Sequence, residues 1–595
     1  VLAGSPSAIS PWEAGMGGGL YRSANATPDG VPPPRDGATY ISVDRLDQPM
    51  VETTAPAPEP PVEGSAAGNS AIMAAGSLVS RGTGFLRTVA LGSALGTLGV
   101  SNAYTTAQIF PGMVYEFLLG GILTSVLIPV LVQRRKVDPD GGQAYAQRLL
   151  TLAVLALWVA TVAAVAAAPI LTSLYGGDNV PGFQRLVTLL SYLMLPMIFF
   201  TGLSALISAV LNTRGHFAAP MWAPILNNLV VITTFGLYIA IFGAKIVEPD
   251  QMTPGRIILL GGGTLLGVIV QAAGLLPALR KVGFRWRWRF DFRALGLREL
   301  GRLGGWMICY VAVSQVGLAI LFRLLNQAGK ENGAGPTIYN NVFLLLNMAH
   351  GIIAVSIVTA LMPRMSAAAG DGRFTDMTRD LSRGTRMITA VLAPVAVLFG
   401  VLALPISVAL FKWGAYDADS ALATSTVLIV AAVALVPFSI SQLFTFAFYA
   451  LPDTRMPALI NIPVVVLRVL VQIGLFAAFS AEFTASGLML GNAVSYVAAA
   501  VLSAWLLRPR IGRIGMGEIA QTLGKVLAAA LGAAVVGLVV INLLPSGEHL
   551  SRAEAILQLV VGGAVIGGSY VGLAVLLRIQ EINEVIGMVR RKLGR

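Results

Sequence analysis

Charged side chains are scarce in this sequence. Asp, Glu, Lys and Arg make up 12% of its 595 residues, about half the share of a soluble globular domain. With 55% hydrophobic residues and a mean hydropathy of +0.75, the chain is solvated mainly by lipid. The one cysteine, Cys309, lies inside an apolar run, which excludes a disulfide framework and a CxxC metal site. His216, His350 and His549 are scattered, which argues against a metal cluster. No GxxxxGK(S/T) phosphate loop, GxSxG, HExxH or paired-carboxylate constellation is found, so neither catalysis nor a cofactor is expected.

Apolar runs long enough to cross a bilayer recur from residue 72 to residue 578. They must be helices, because lipid offers no partner to free backbone groups. The short alternating segments of a β-barrel do not appear. The reading is an all-α polytopic membrane protein of about fourteen helices: 72–95, 104–133, 149–173, 185–212, 220–243, 257–280, 303–326, 338–363, 386–411, 420–450, 456–478, 485–508, 519–544 and 555–578. They group as an N-lobe (71–282), a C-lobe (283–512) and two further helices (513–580), followed by a basic segment (581–595).

The formal net charge of +12 would suggest nucleic acid in a soluble protein. Here the basic residues sit between spans, which indicates topology and contact with anionic headgroups. Arg134, Arg135 and Lys136 follow the second span, Arg280, Lys281, Arg285, Arg287 and Arg289 the sixth, and Arg508, Arg510 and Arg513 the twelfth. The turn between the first two spans carries none. Both termini are therefore expected on the cytoplasmic side of the inner membrane. Residues 1–70 are rich in Pro and Gly, as in Val31-Pro32-Pro33-Pro34, and lack an apolar run. They are expected to be a disordered tail rather than a signal peptide.

Two six-span halves repeat. Pro129, Pro169 and Pro220 have counterparts in Pro363, Pro405 and Pro457 at a nearly constant offset of roughly 235 residues. Ser204 stands before Pro220 as Ser441 stands before Pro457. An even span count per half relates the two by an axis along the membrane normal, with substrate between them and rocking as the transport motion.

Charge at bilayer depth costs at least about 2.5–3.5 kcal/mol per group, so each instance needs a reason. The first span carries Arg81 and Arg87, which six residues place about 9 Å apart in depth on adjacent faces. They can line one wide cavity but not form a single chelate. Gly82 and Gly84 beside them allow close approach. Arg323 and Arg468 add charge on the seventh and eleventh spans, and Glu116 is the one carboxylate well inside a span. The interior is net positive and suits an anion, since guanidinium forks match phosphate oxygens. A plainer alternative pairs Arg81 with Glu116 as a structural bridge, and Arg323 could simply snorkel to the interface. Asn227, Asn228, Gln315, Asn341, Asn347 and His350 are accounted for by interhelical hydrogen bonds. Asn341 and His350 fall on opposite helix faces and are not expected to act as a pair.

Ser80-Arg81-Gly82-Thr83-Gly84-Phe85-Leu86-Arg87 and the segment from Leu211-Asn212-Thr213 to Asn227-Asn228 resemble the MurJ/MviN family. The segment Pro111–Pro129, Leu410-Phe411-Lys412-Trp413-Gly414 and the Phe448–Pro457 turn are also similar to it, so the resemblance covers roughly 70–580. It implies a MATE-like fold of the MOP superfamily with two extra helices forming a lipid-tail groove. The implied cargo is lipid II, an undecaprenyl-pyrophosphate disaccharide-peptide exported during peptidoglycan synthesis. It also implies that Arg81 and Arg87 face the central cavity. Departures exist: Thr88 and Asn102 replace aspartates, Glu116 replaces an arginine, and no arginine stands near Asn341–Leu346. The substrate-binding set expected is Arg81, Arg87, Glu116, Arg323 and Asn102, with Arg323 supplying part of the missing charge. Sodium-binding members use an acid that 303–326 and 456–478 lack, so membrane potential is the expected driving force. The competing readings are an exporter of another lipid-linked oligosaccharide, a MATE-type antiporter, and a scaffold that docks cell-wall synthesis proteins through the tail.

Overall fold

Lipid-solvated apolar runs can satisfy their backbone only internally, and a computed structural model of the chain is accordingly helical in the described parts of its spans. The structure describes residues 63–117, 140, 142–176, 182–284, 286–292, 297–330, 333–544, 550–584 and 587, without the side chains of 63–74, 297–304 and 307. Most of the expected tail, and residues 118–133 of the second expected span, lie outside the described residues.

The first half comprises α1 (Glu63–Leu95), α2 (Gly99–Tyr115), α3 (Gln143–Ala166), α4 (Ala168–Gly176), α5 (Phe183–Met194), α6 (Met197–Thr213), α7 (Ala218–Phe242) and α8 (Pro254–Lys281). The second comprises α9 (Leu297–Lys330), α10 (Pro336–Gly370), α11 (Phe374–Val401), α12 (Ala403–Phe411), α13 (Ala418–Ala450), α14 (Arg455–Ala478) and α15 (Ala481–Ile511). Two further helices, α16 (Met516–Leu543) and α17 (Arg552–Leu576), pack on each other and on α11 and α12. Among the described residues twelve helical segments, with α5 and α6 counted together, are long and apolar enough to cross a membrane. The twelve exclude α1, which carries Arg81 and Arg87, and α2, described only in its first part.

Three expected spans are each built from two helices. The chain breaks at Ala167 before Pro169, at Leu195-Pro196, and at Leu402 before Pro405. Proline cannot donate to the helical ladder, so the preceding turn opens. The first and third breaks each precede a nine-residue helix, α4 and α12, at equivalent points of the two halves. Ser204 and Ser441, the other matched pair, are both buried. Close packing rests on small residues. A Cβ at Gly263 would come 2.4 Å from Thr234, and one at Gly491 2.6 Å from Gln472, so α8 lies directly on α7 and α15 on α14.

Several helices outrun the apolar segments that predict them. Helix α1 begins at Glu63, inside the expected tail, where an acidic residue at the N-terminus favours the helix dipole. Helices α10 and α11 continue to Gly370 and from Phe374, because charged groups past the apolar run pair across them: Arg364 meets Asp380 at 2.8 Å. The turn between them needs the left-handed backbone of Gly372 (φ +70°).

Candidate functional site: the junction of the two halves

Helix α1 is pinned by its own half before it meets the other. The Asn228 amide of α7 donates to the Ser80 carbonyl (3.2 Å) and to Thr83 Oγ1 (3.0 Å). Gly84 allows this approach, with the amide nitrogen 3.6 Å from where its Cβ would stand. Ser80, Thr83 and Gly84 therefore serve packing, and the arginines of the same motif are left to other work.

Arg81 reaches across to the second half. Its guanidinium covers Gly351 of α10 so closely that a Cβ there would lie 2.3 Å from Nη1. It also lies within electrostatic reach of the buried His350, whose Nδ1 shares a 2.9 Å hydrogen bond with Ser439 of α13. Arg87 lies within electrostatic reach of the buried Tyr104 of α2, which bonds Thr264 of α8 at 2.7 Å. Between them, the Phe85 ring packs against Phe411 of α12 at 5.8 Å. The two arginines thus have different neighbours, Gly351 and His350 of the second half for Arg81 and Tyr104 of the first for Arg87. Both are half-buried, and neither forms an ion pair or hydrogen bond among the described residues. The bridge between Arg81 and Glu116 is not formed: Glu116 is exposed, at a π-helical turn ending the described part of α2. Arg323 is exposed on α9, and Arg468 of α14 has a buried Nε without a partner. Ion pairs do form elsewhere, as between Arg148 and Asp291 or between Arg386, within α11, and Glu581, whereas Arg81 and Arg87 have none among the described residues.

One end of the junction is closed by uncharged hydrogen bonds. Thr97 bonds Ser420 (2.7 Å), and Ser101 and Thr105 both bond the Thr337 hydroxyl (3.0 and 3.1 Å). Asn326 bonds Thr106 and donates to the Tyr175 carbonyl, and the Ala415 amide donates to the Ser93 carbonyl (2.9 Å). Asn102, expected to touch substrate, lies inside this seal. It is 2% exposed, and its Oδ1 accepts from the Thr337 amide at 3.1 Å. Its surroundings make it a pin between α2 and α10. His350 bonds Ser439, whereas the Asn341 amide nitrogen is buried without a hydrogen-bond partner among the described residues. Sequence reasoning missed the seal because Ser, Thr and Asn inside helices carry no signal of their partners; the two matched halves were the available hint.

Comparison with known proteins decides the family. The sequence profile described as "Lipid II flippase MurJ" matches residues 91–551. The chain belongs to the lipid II flippase MurJ family. Relatives of this MurJ-family chain include a probable lipid II flippase MurJ of Synechocystis, 25% identical over 478 residues, covering 80% of this chain and 87% of that protein. Another, from Bdellovibrio bacteriovorus, is 27% identical over 528 residues, covering 86% and 95%. In fold, the chain is similar to a lipid II flippase MurJ in an inward closed conformation (TM-score 0.65, 17% identity, 88% of this chain and 99% of that one). It also resembles an inward-facing multidrug MATE transporter of the MOP superfamily (TM-score 0.57, 16% identity, 72% and 94%).

Proposed function

We propose that this chain moves lipid II from the inner to the outer leaflet of the bacterial plasma membrane by alternating access between its halves. The observation that carries the reading is the pair of unpaired guanidinium groups on α1, Arg81 over Gly351 of the second half and Arg87 within electrostatic reach of Tyr104. A cation without a counter-charge at bilayer depth is costly and is relieved by a diphosphate that accepts bidentate hydrogen bonds. Arg323 supplies further charge along the path, and Glu116 contacts the polar headgroup. Asn102 then acts through the seal and not on the substrate.

With both termini cytoplasmic, the sealed end around 93–106 is the outer one, and the molecule is closed to the outside. The seal suits its task. Hydroxyl and amide hydrogen bonds are each worth only about 0.5–1.5 kcal/mol, so the halves can separate and exchange these bonds for water. Residues 71–282 and 283–512 are the rocking lobes, and 513–580 hold the lipid tail outside the headgroup path. Membrane potential resets the cycle, at about 2.3 kcal/mol per charge per 100 mV. Residues 1–70 offer a tether for cell-wall synthesis proteins.

The test is rescue of a bacterial strain depleted of its own flippase. Wild type and a variant lacking residues 1–62, which leaves α1 whole, rescue growth, whereas Arg87→Ala does not, at equal membrane abundance. Rescue by Arg87→Ala with failure of the tail deletion would support a scaffold instead.

A further inference from the structure

Arg468 stands near the middle of α14, away from the junction arginines of α1. It forms neither an ion pair nor a hydrogen bond among the described residues, and its Nε is buried without a partner. Helix α9 makes room for it: a Cβ at Gly317 would lie 2.3 Å from its Nη2. The guanidinium opens on a cavity of about 120 Å³ between α9, α13, α14 and α15.

The cavity presents donors. Tyr310, Ser314 and Tyr496 line it, and the described lining contains no carboxylate. Asn461 donates to Ser314 Oγ at 2.8 Å and to the Tyr310 carbonyl at 3.0 Å, which occupies a Ser314 lone pair and leaves that hydroxyl's hydrogen free for the cavity. Arg468 lies within electrostatic reach of the Tyr310 and Tyr496 rings. A guanidinium beside the Tyr310, Ser314 and Tyr496 side chains, with no carboxylate in the described lining, attracts a negative ion and repels a positive one. Size narrows the class: one water needs only about 10–15 Å³ of such space, so 120 Å³ takes a small ion with a few waters but not a glycan or a lipid headgroup. The α14 lining runs from Arg468 to Pro457, about 16 Å of helix, and so reaches the turn at 451–454 as a path of entry.

We propose that this cavity binds a small inorganic anion, chloride being the probe, as the counter-ion of Arg468. Bound there, it neutralises the charge on α14 and ties α9, α14 and α15 together. The site lies within the second half and does not depend on what the junction carries.

The test is thermal unfolding of the purified full chain with sodium chloride replaced by sodium gluconate at constant ionic strength. The wild-type midpoint falls by roughly 1–3 °C when chloride at ten times its dissociation constant is withdrawn. Arg87→Ala and Arg468→Lys keep this dependence, and Arg468→Gln loses it. Crystals grown in bromide serve if Arg468→Gln does not fold, with an anomalous peak expected beside Arg468. A wild-type midpoint indifferent to halide, a dependence that survives Arg468→Gln, or bromide found only at the α1 arginines would overturn the proposal.

Discussion

Thr337→Val removes one hydroxyl from the sealed end and keeps the shape of the side chain. Thr337 is 1% exposed, and its hydroxyl serves both Ser101 and Thr105, which are 0% and 3% exposed. Two hydrogen bonds at about 0.5–1.5 kcal/mol each amount to about 1–3 kcal/mol. That loss falls on the sealed state alone, because water satisfies the same hydroxyls once the halves part. The sealed-to-open ratio should fall about 5- to 150-fold. The backbone bond from Thr337 to Asn102 remains, so the helices keep their register. The assay is the reaction of a Leu98→Cys thiol with a membrane-impermeant maleimide in intact cells, in a Cys309→Ser background. Thr337→Val should raise the labelling rate. An unchanged or slower rate at normal abundance would refute the assignment of these hydroxyls to a seal.

Three further outcomes follow from single positions. Gly351→Val drives a side chain into the Arg81 guanidinium, so growth rescue is lost while membrane abundance is kept. Gly414→Ala meets both a left-handed backbone (φ +58°) and the Ser93 carbonyl 2.3 Å from its Cβ; the added strain of about 1–2 kcal/mol or more should lower the thermal midpoint. At the turn between α13 and α14, burial opposes ionisation of Asp453, but the Met456 and Arg455 amides and the Arg510 guanidinium hold its carboxyl below the usual range. Its stabilisation is therefore complete above the ordinary carboxylate value near 3.8 and is lost as pH falls through the lower folded value. Asp453→Asn should flatten that acid limb of the stability profile.

The spans were legible because lipid leaves an apolar run one choice; the breaks before Pro169 and Pro405 were not, since Pro224, Pro363 and Pro437 stand inside unbroken helices. What hydropathy did not carry was helix length past the bilayer. Arg364 and Asp380 look like loop charges in sequence but pair across α10 and α11, extending both. The motif on α1 singled out Arg81 and Arg87 as charges to explain, but not that Arg81 would cover Gly351 of α10. Asn102 looked like a cavity residue because an aspartate is expected there; its real surroundings depend on Thr337, distant in sequence, and on Gly329 and Gly335, which leave space for its amide. Arg468 had no evident partner in sequence and has none among the described residues, which turned an unexplained charge into a site.

The most direct measurement is lipid II translocation by purified protein in vesicles of defined composition, read by an impermeant enzyme that degrades lipid II in the exposed leaflet. Wild type should move lipid II across the bilayer, and the variant carrying both Arg81→Ala and Arg87→Ala should leave it where it was placed. Equal translocation by the two proteins would contradict the account, because the guanidinium groups at the junction would then have no part in carrying the diphosphate.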